Sequence, residues 1–397
     1  MTFLLLNQTF HPDLSATAQY LSDLALGLAQ KGHQVTVVTS RRPYNTGGPK
    51  FRRKELWQGI RILRVASTGF GKRAKFPRLI DALTFFLSCI LRLALSRRPD
   101  IIVVLTSPPL MSFVAACFAG LWRCKLCYWV MDFNPDEAIA AGWLHPHSIP
   151  AQILLRCSRF SLKRSSKIIA LDRFMRDRIV ARGGPPERID IIPLWSRDDH
   201  VNYDPSGRER FRAEHGLDRK FVVMYSGNHS PCHPLGSLVS AAESLSAEPD
   251  VCFCFVGGGT EWHRLRRTKS NMVFLPYQPL DGLSTMLSAA DLHVMVMGDR
   301  FVGLVHPCKL YNLLKIGLPL LYIGPPQSHV TDLLGSAPTN NFRLHTARHG
   351  EVQKIAHHIK EVRAQTREHS RPVPFACSFS QAIIVSRLIR QLESLVK

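Results

Sequence analysis

The stretch FVGLVHPCKLYNLLKIGLPLLYI, residues 301–323, gives the clearest indication of the fold. A glycine-containing loop leads into a predicted helix that carries Lys309 in its first turn and stops at Gly317, and an apolar strand follows Pro319. Free backbone N–H groups and the helix dipole make a helix N-terminus suitable for an anion. A first-turn lysine is unfavourable for the helix itself. The stretch therefore indicates a phosphate-binding connection, and a solvated lysine on an ordinary connection is the alternative.

Short apolar segments alternate with amphipathic helical segments over most of the chain, which is typical of a doubly wound parallel sheet. In the first half the predicted strands are Thr2–Asn7, Gln34–Ser40, Ile101–Thr106, Lys125–Asp132, Lys167–Leu171 and Ile189–Pro193. In the second half they are Phe221–Gly227, Val251–Gly257, Met272–Leu275, Leu292–Met297 and Leu320–Ile323. The pattern predicts an α/β protein with two tandem Rossmann-like domains.

The domain boundaries follow from a break in this alternation. A chain of 397 residues is too long for one ordinary core. The polar, aperiodic segment Leu194–Gly207 is predicted to be the interdomain linker. We therefore expect an N-terminal domain at 1–198, a C-terminal domain at 199–376 and a helical segment at 377–397, in which an amphipathic helix covers Ser378–Val396.

Composition excludes several classes of protein. A hydrophobic content of 45% and a charged content of 20% are typical of a globular chain. Neither a GxGxxG nor a GxxxxGK[ST] motif is present, so nicotinamide, flavin and P-loop ATPase sites are unsupported. The ten cysteines are scattered, and the CxxC pair Cys124 and Cys127 has no second pair for zinc. We expect no metal site, and a cytoplasmic protein, because no secretory signal precedes the first strand.

Segments along nearly the whole chain resemble family 4 glycosyltransferases of the bacterial exopolysaccharide, O-antigen and colanic-acid type. They are FHPDLSATAQYLSDLALGLAQKGHQVTVVTSR (10–41), RRPDIIVVLTSPPL (97–110), WVMDFNPDEAIAAGWL (129–144), YSGNHSPCHPLGSLVSAAE (225–243), FVGGGTE (255–261), NMVFLPYQPLDGL (271–283) and HPCKLYNLLKIGLPLLYIGP (306–325). The resemblance implies the GT-B fold, with two domains facing a cleft and the C-terminal helix packing back on the first. It also implies a retaining glycosyl transfer from a nucleotide-diphosphate sugar to a lipid-linked or saccharide acceptor, with no cofactor.

The resemblance also implies a donor site in the second domain. Gly227 corresponds to the turn near the donor diphosphate, and Gly257–Gly259 form a second turn. Residues 273–277 correspond to the segment whose backbone contacts the nucleobase, and Asn312 stands where a glutamate usually binds the ribose hydroxyls. The candidate donor-binding residues are Gly227, Asn228, His233, Gly258, Glu261, Arg300, Gly303, Lys309, Tyr311 and Asn312.

Four positions depart from the family pattern. Asn228 and His233 stand where an arginine and a lysine usually contact the diphosphate, Leu304 stands where a second glutamate is usual, and Met131 replaces a histidine. Lys309 and Arg300 could supply the missing positive charge. A non-catalytic homologue that binds nucleotide sugars or acts as a scaffold is therefore the alternative function.

The candidate catalytic residues lie in the first domain. Stabilising a departing diphosphate is electrostatic work, for which Lys309, Arg300 and His233 are suited. Removing a proton from the acceptor hydroxyl requires a base, and Asp132 and Glu137 follow a predicted strand end. A strand-end turn is the alternative role for Asp132. Asp136, also a candidate base, is predicted by its position to be the N-cap of the helix 137–141.

The net charge of the chain indicates which classes of binding partner to expect. The net charge is +21, which favours anionic partners. The apolar segment Leu79–Leu95 is flanked by Lys72, Arg73, Lys75, Arg78, Arg97 and Arg98. Residues 72–98 are therefore predicted to contact an anionic membrane surface, which makes the protein peripheral on the inner face of the cell membrane. A buried crossover helix and an inserted span are the alternatives. We expect no nucleic-acid partner, because no interleaved aromatic platform accompanies the charge.

Overall fold

The computed structural model describes residues 1–13, 15–43, 49–68, 75–196, 201–262, 270–335, 343–365 and 374–396, without the side chains of residues 75–79 and 374–376. Their contacts form two compact units. The first contains Met1–Pro193, Gly303–Val305 and Ala382–Lys397, and the second contains Leu194–Val302 and His306–Gln381. The division falls at Pro193, a few residues before the predicted boundary at 198.

The first unit is built on a mostly parallel sheet. Its strands are β1 (Thr2–Leu6), β2 (Gln34–Ser40), β3 (Lys54–Trp57), β4 (Ile60–Val65), β5 (Ile101–Val104), β6 (Lys125–Trp129), β7 (Lys167–Ala170) and β8 (Ile189–Ile191). Their order is β3-β4-β2-β1-β5-β6-β7-β8, and every neighbouring pair is parallel except the antiparallel pair β3 and β4. The central strands β1 and β5 are almost fully buried, as expected for strands that are covered on both faces.

The second unit has its own sheet, in which all neighbouring pairs are parallel. Its strands are β9 (Phe221–Asn228), β10 (Val251–Gly258), β11 (Met272–Leu275), β12 (Leu292–Val296), β13 (Leu320–Ile323) and β14 (Leu344–Ala347). The order is β11-β10-β9-β12-β13-β14. The carboxyl ends of β9 and β10 are in register, with Gly227 opposite Gly257. This places two glycines side by side at the sheet edge where ligands bind in such folds.

Helices alternate with these strands in chain order. Those described are α1 (Ala16–Gln30), α2 (Lys75–Ala94), α3 (Met111–Trp122), α4 (Asp136–Ala140), α5 (Ile149–Arg164), α6 (Arg173–Ala181), α7 (Pro205–Glu214), α8 (Gly236–Ser244), α9 (Leu283–Ser288), α10 (Lys309–Ile316), α11 (His329–Gly335), α12 (Val352–Ala364) and α13 (Gln381–Glu393). Gly317 ends α10 with a φ of 72°, as the sequence predicts. These alternating helices and strands confirm the two Rossmann-like α/β units.

The C-terminal helix α13 lies against α1, in the first unit. A Cβ added at Gly27 of α1 would lie 2.8 Å from Val385 Cγ1, so the two helices are in close contact. The Lys31 ammonium and the His33 ring contact Glu393 at 3.4 and 2.9 Å. A glycine at this crossing lets the helices approach, and the helix begins three residues later than the sequence predicts.

The predicted linker is partly helical. Residues 197–200, which include Asp198 and Asp199, lie outside the described residues. The end of the predicted segment belongs to α7, whose N-cap is Asp204: its carboxylate accepts a hydrogen bond from the Gly207 N–H at 2.9 Å. The sequence DPSG reads as a turn, but Asp followed by proline is also a helix start signal.

Helix α2 contains the apolar segment that the sequence analysis assigns to a membrane surface. Phe85, Cys89 and Leu93 are buried, while Leu83 and Leu87 are 55% and 59% exposed. The helix thus covers the sheet with one face and leaves apolar side chains on another. In the described part of the chain no helix is both long and apolar enough to cross a membrane. Lys72 and Arg73 lie outside the described residues.

Candidate functional site

Two glycine turns at the ends of β9 and β10 form the centre of the candidate donor site. Gly227 has φ 143° and Gly257 has φ 135°, a conformation that side chains disfavour. A Cβ added at Gly257 would lie only 2.0 Å from the Gly227 carbonyl oxygen. Gly259 is equally confined, since its Cβ would lie 2.3 Å from the His229 carbonyl oxygen. The two turns therefore require glycine.

Hydrogen bonds fasten the two turns together. The His229 N–H donates to the Gly258 carbonyl at 2.8 Å, and the Glu261 N–H donates to the His229 carbonyl at 3.0 Å. The Tyr277 hydroxyl donates to the same Gly258 carbonyl at 3.0 Å. The candidate residues Gly227, Gly258 and Glu261 thus lie in one backbone network, in which geometry is set before any ligand binds.

Lys309 reaches this network from the first turn of α10. Its ammonium donates to the Ser226 carbonyl at 3.1 Å and lies 4.0 Å from the centroid of the Tyr225 ring. A Cβ added at Gly227 would lie 3.0 Å from Nζ, so the glycine leaves room for the ammonium. Burial lowers the pKa of Lys309 to about 7. The side chain is therefore not a solvated surface lysine, and an anion at the turn would raise its pKa again.

His229 belongs to the same group, although it is not among the residues predicted from the sequence. Its ring is fully buried, with ring centroids 5.3 Å from Tyr225 and 4.8 Å from Trp262. Among the described residues neither of its ring nitrogens has a hydrogen-bond partner. Burial, with a smaller contribution from Lys309, lowers its pKa to about 4, so the ring is neutral at pH 7. A position two residues after Gly227 is the one signal in the sequence that could have selected it.

His233 does not supply the positive charge expected of it. Its Nδ1–H donates to the Val296 carbonyl at 2.7 Å, and burial lowers its pKa to about 3. A neutral ring whose N–H is already bonded leaves only an acceptor nitrogen. The expectation that His233 stands in for a diphosphate-binding lysine is therefore wrong for the unliganded protein. Asn228 and Arg300 are both exposed.

Tyr311 and Asn312 follow Lys309 on α10 and differ in exposure. Tyr311 is buried, and its hydroxyl lies 2.8 Å from His306 Nε2 and 3.1 Å from His329 Nε2. This hydroxyl is engaged inside the second unit, so Tyr311 holds the loop before α10 in place. Asn312 is half-buried.

Gly303 and Leu304 group with the first unit. A Cβ at Gly303 would lie 2.6 Å from the Phe174 carbonyl oxygen at the start of α6. The Leu304 carbonyl accepts a hydrogen bond from the Phe133 N–H at 2.7 Å. The glycine is needed for this close packing within the first unit.

The candidate catalytic carboxylates lie beyond the carboxyl end of β6. The Asp132 N–H donates to Thr106 Oγ1 at 3.3 Å, and Glu137 accepts a hydrogen bond from the Asn134 amide at 3.0 Å. Asp136 is not the N-cap of α4, because Pro135 occupies that position. Its carboxylate pairs instead with Arg182. The ion pair with Arg182 makes Asp136 a poor base. Asp132, in contrast, is half-buried beside a small pocket that Thr106 and Asn134 line.

Comparisons of the sequence with known proteins give concordant results. The family profile of the glycosyl transferase 4-like domain matches residues 15–195. The chain is 25% identical over 342 residues to WcaI of Escherichia coli (strain K12), named for glycosyl transfer in colanic acid biosynthesis, with 80% of this chain and 82% of that protein covered. It is 22% identical over 279 residues to WbjE of Pseudomonas aeruginosa, which is named for glycosyl transfer, with 66% of this chain and 70% of that protein covered.

Solved structures share the fold over the whole chain. HepE of Anabaena, in complex with UDP and glucose, superposes with a TM-score of 0.70 at 17% identity and covers 99% of this chain and 100% of its own. WaaG, a glycosyltransferase of lipopolysaccharide biosynthesis, superposes with a TM-score of 0.63 at 16% identity and covers 100% and 97%. At these identities the likeness concerns the fold alone.

Proposed function

Because this chain is a family 4 glycosyltransferase with the GT-B fold, we propose that it moves a sugar from a nucleotide-diphosphate donor, with retention of configuration, to a lipid-linked or saccharide acceptor of a cell-surface polysaccharide. The observation that carries this proposal is the Lys309 ammonium beside the glycine turns at Gly227 and Gly257. HepE holds UDP and glucose on a fold of this kind, and WcaI is named for colanic acid synthesis.

The donor diphosphate binds at the glycine turns in this proposal. The half-buried backbone turn at Gly227 and the positive end of the α10 dipole favour a bound anion, and Lys309 adds the charge of its ammonium. As the bond between sugar and diphosphate breaks, negative charge grows on the departing oxygen, and a preorganised ammonium stabilises it without reorganisation. Tyr225 lies under the ammonium and limits its positions. No residue of this group requires a metal for that role.

In this proposal Asp132 is the base that deprotonates the acceptor hydroxyl, and Glu137 is the second candidate for that role. Both follow β6, whereas the neighbouring Asp136 is committed to Arg182. Asp132→Asn keeps the size of the side chain and removes its basicity. We expect turnover to fall about 100-fold or more with donor affinity unchanged, because a positioned base contributes about 10²- to 10⁴-fold. The rate of nucleoside diphosphate release, measured with a lipid-linked acceptor, tests this role of Asp132. Full activity of Asp132→Asn would show that Asp132 only forms the turn at the end of the strand.

A non-catalytic nucleotide-sugar-binding protein is the second candidate function. The neutral state of His233 and the buried apolar side chain of Leu304 favour it, because neither can do what the usual lysine and glutamate do. A thermal-shift screen against nucleotide sugars, followed by an assay of nucleoside diphosphate release, separates the two functions. Binding of a nucleotide sugar without release of nucleoside diphosphate, with both lipid-linked and saccharide acceptors, supports the non-catalytic function.

Membrane contact is the last part of the proposal. Leu83, Leu87 and Leu91 recur every four residues on α2 and are all more than half exposed. Arg97 and Arg98, just after the helix, are exposed as well. Apolar side chains beside cations suit the interface of an anionic bilayer. A lipid-linked acceptor would be presented at that surface.

A further inference from the structure

Three side chains that play no part in the donor site meet at the edge of the second sheet. His345 lies on the edge strand β14, and His358 and Glu361 lie one turn apart on α12. Their side chains are 13%, 18% and 41% exposed, so the cluster is partly buried but can be reached from solvent. His–His–carboxylate is a set of ligands that proteins use for Zn²⁺ and related ions.

The distances between the three groups match one coordination geometry. His345 Nδ1 lies 3.2 Å from His358 Nδ1, His358 Nδ1 lies 3.3 Å from Glu361 Oε2, and His345 Nδ1 lies 3.6 Å from the same oxygen. With metal–ligand distances of about 2.0–2.1 Å, ligands of a tetrahedral ion lie about 3.3 Å apart. An octahedral ion at the same metal–ligand distances would need about 2.9 Å. The triangle therefore fits three corners of a tetrahedron.

Protons alone cannot satisfy this triangle. One shared proton on either Nδ1 leaves two lone pairs facing each other along the remaining side. A proton on each Nδ1 leaves two N–H groups facing each other across 3.2 Å. A single cation at the centre satisfies all three atoms, since each offers it a lone pair.

The contacts around the three ligands bear on how tightly an ion is held, because outer hydrogen bonds orient metal-binding side chains. His358 Nε2 has no hydrogen-bond partner among the described residues. The site thus lacks one of the outer contacts that usually strengthen binding, so its affinity should be moderate.

We infer that His345, His358 and Glu361 form a binding site for a tetrahedral divalent cation of the Zn²⁺ type, with the fourth position open to water. The ion would join the edge strand β14 to α12. Its role is structural, and it lies outside the chemistry of glycosyl transfer.

Titration with Zn²⁺ alone tests the site on the full chain after treatment with a chelator. We expect His345→Ala, His358→Ala and Glu361→Gln each to lose one equivalent of bound Zn²⁺, with affinity at that site falling by more than about 100-fold, since changes to outer contacts alone cost about 10- to 100-fold. The matched control is His357→Ala, an exposed histidine of the same helix that should bind as wild type does.

Two further measurements keep the test decisive. Co²⁺ in place of Zn²⁺ should give the intense visible absorption of a tetrahedral site, and Glu361→Gln should abolish it. Zn²⁺ should raise the melting temperature of wild type and of His357→Ala but leave that of Glu361→Gln unchanged. Equal stoichiometry and affinity in wild type and all three variants would overturn the inference, and so would an equal loss in His357→Ala.

Discussion

The surrounding fold lowers the pKa values of both Lys309 and His229. Burial lowers their pKa values to about 7 and about 4, and each lies against the aromatic ring of Tyr225. A group with a pKa near 7 changes charge within the physiological range. The donor site is therefore half-charged when empty, and a bound diphosphate would complete the charging of Lys309.

This titration predicts a pH dependence of donor binding. In the free protein the ammonium is lost as pH rises through about 7, so affinity for the preferred nucleotide sugar should fall by up to about tenfold per pH unit above that value. Calorimetry at pH 6 and pH 8 measures this. Lys309→Ala should bind about 10- to 150-fold more weakly at pH 6, for a charge-assisted bond of about 1.5–3 kcal/mol, and should show a flat profile.

The control for that experiment is Lys315→Ala, which removes a cation from the last turn of the same helix. It should leave both affinity and pH profile unchanged, with a melting temperature close to that of wild type. A slope that persists in Lys309→Ala would assign the titration to another group.

The sequence indicates the position of Lys309 beside the turns but not the surroundings of the two histidines. Lys309 was selected because its place in a first turn conflicts with the helix dipole. His229 was missed because only the fold stacks its ring on Trp262, which follows β10 in the chain. His233 was expected to be charged, and only the hydrogen bond to Val296 and its burial reveal that it is neutral.

At the scale of elements, the two strand-end turns are the most constrained part of the second unit. Gly257→Ala would place a Cβ 2.0 Å from the Gly227 carbonyl oxygen in a backbone conformation with φ 135°. We expect the free energy of unfolding to fall by at least about 2 kcal/mol, because backbone strain alone costs about 1–3 kcal/mol. Donor affinity should fall with it.

Chemical denaturation measures this change, and Gly236→Ala is the matched control. Gly236 opens α8, and a Cβ there would meet no atom within 4 Å. Its stability should be unchanged or slightly higher, since alanine favours helices. A stable Gly257→Ala with normal donor affinity would mean that the turn can rearrange.

Periodicity predicted most elements of both sheets, because buried parallel strands are continuous apolar runs. It missed the β3–β4 hairpin, where basic and polar residues alternate with apolar ones at an exposed edge. It also missed β14, a short edge strand that contains His345. The His358-x-x-Glu361 spacing was present in the sequence, but only the sheet brings His345 to it.

At the scale of the whole molecule, a net charge of +21 and an apolar face on α2 predict binding to anionic vesicles. The double change Leu87→Gln with Leu91→Gln should reduce this binding by more than about tenfold, since burying each leucine contributes about 1.5–3 kcal/mol. Salt should weaken the binding of wild type, because surface charges are screened beyond about 10 Å at 0.1 M.

Vesicle co-sedimentation measures both effects. Leu56→Gln is the control, since Leu56 is 76% exposed but lies on the β3 hairpin. If the double variant and wild type sediment equally with vesicles, α2 does not contribute to membrane binding.

The position of α13 has a consequence for the order of synthesis on the ribosome. Val385 and Ile389 pack against α1 at Gly27, yet they are translated after the whole of the second unit. While residues 194–381 emerge, the first unit lacks its last helix, and the apolar side of α1 that surrounds Gly27 is uncovered. The unit that is synthesised first is therefore completed last. Until then the nascent chain exposes an apolar surface to which chaperones can bind.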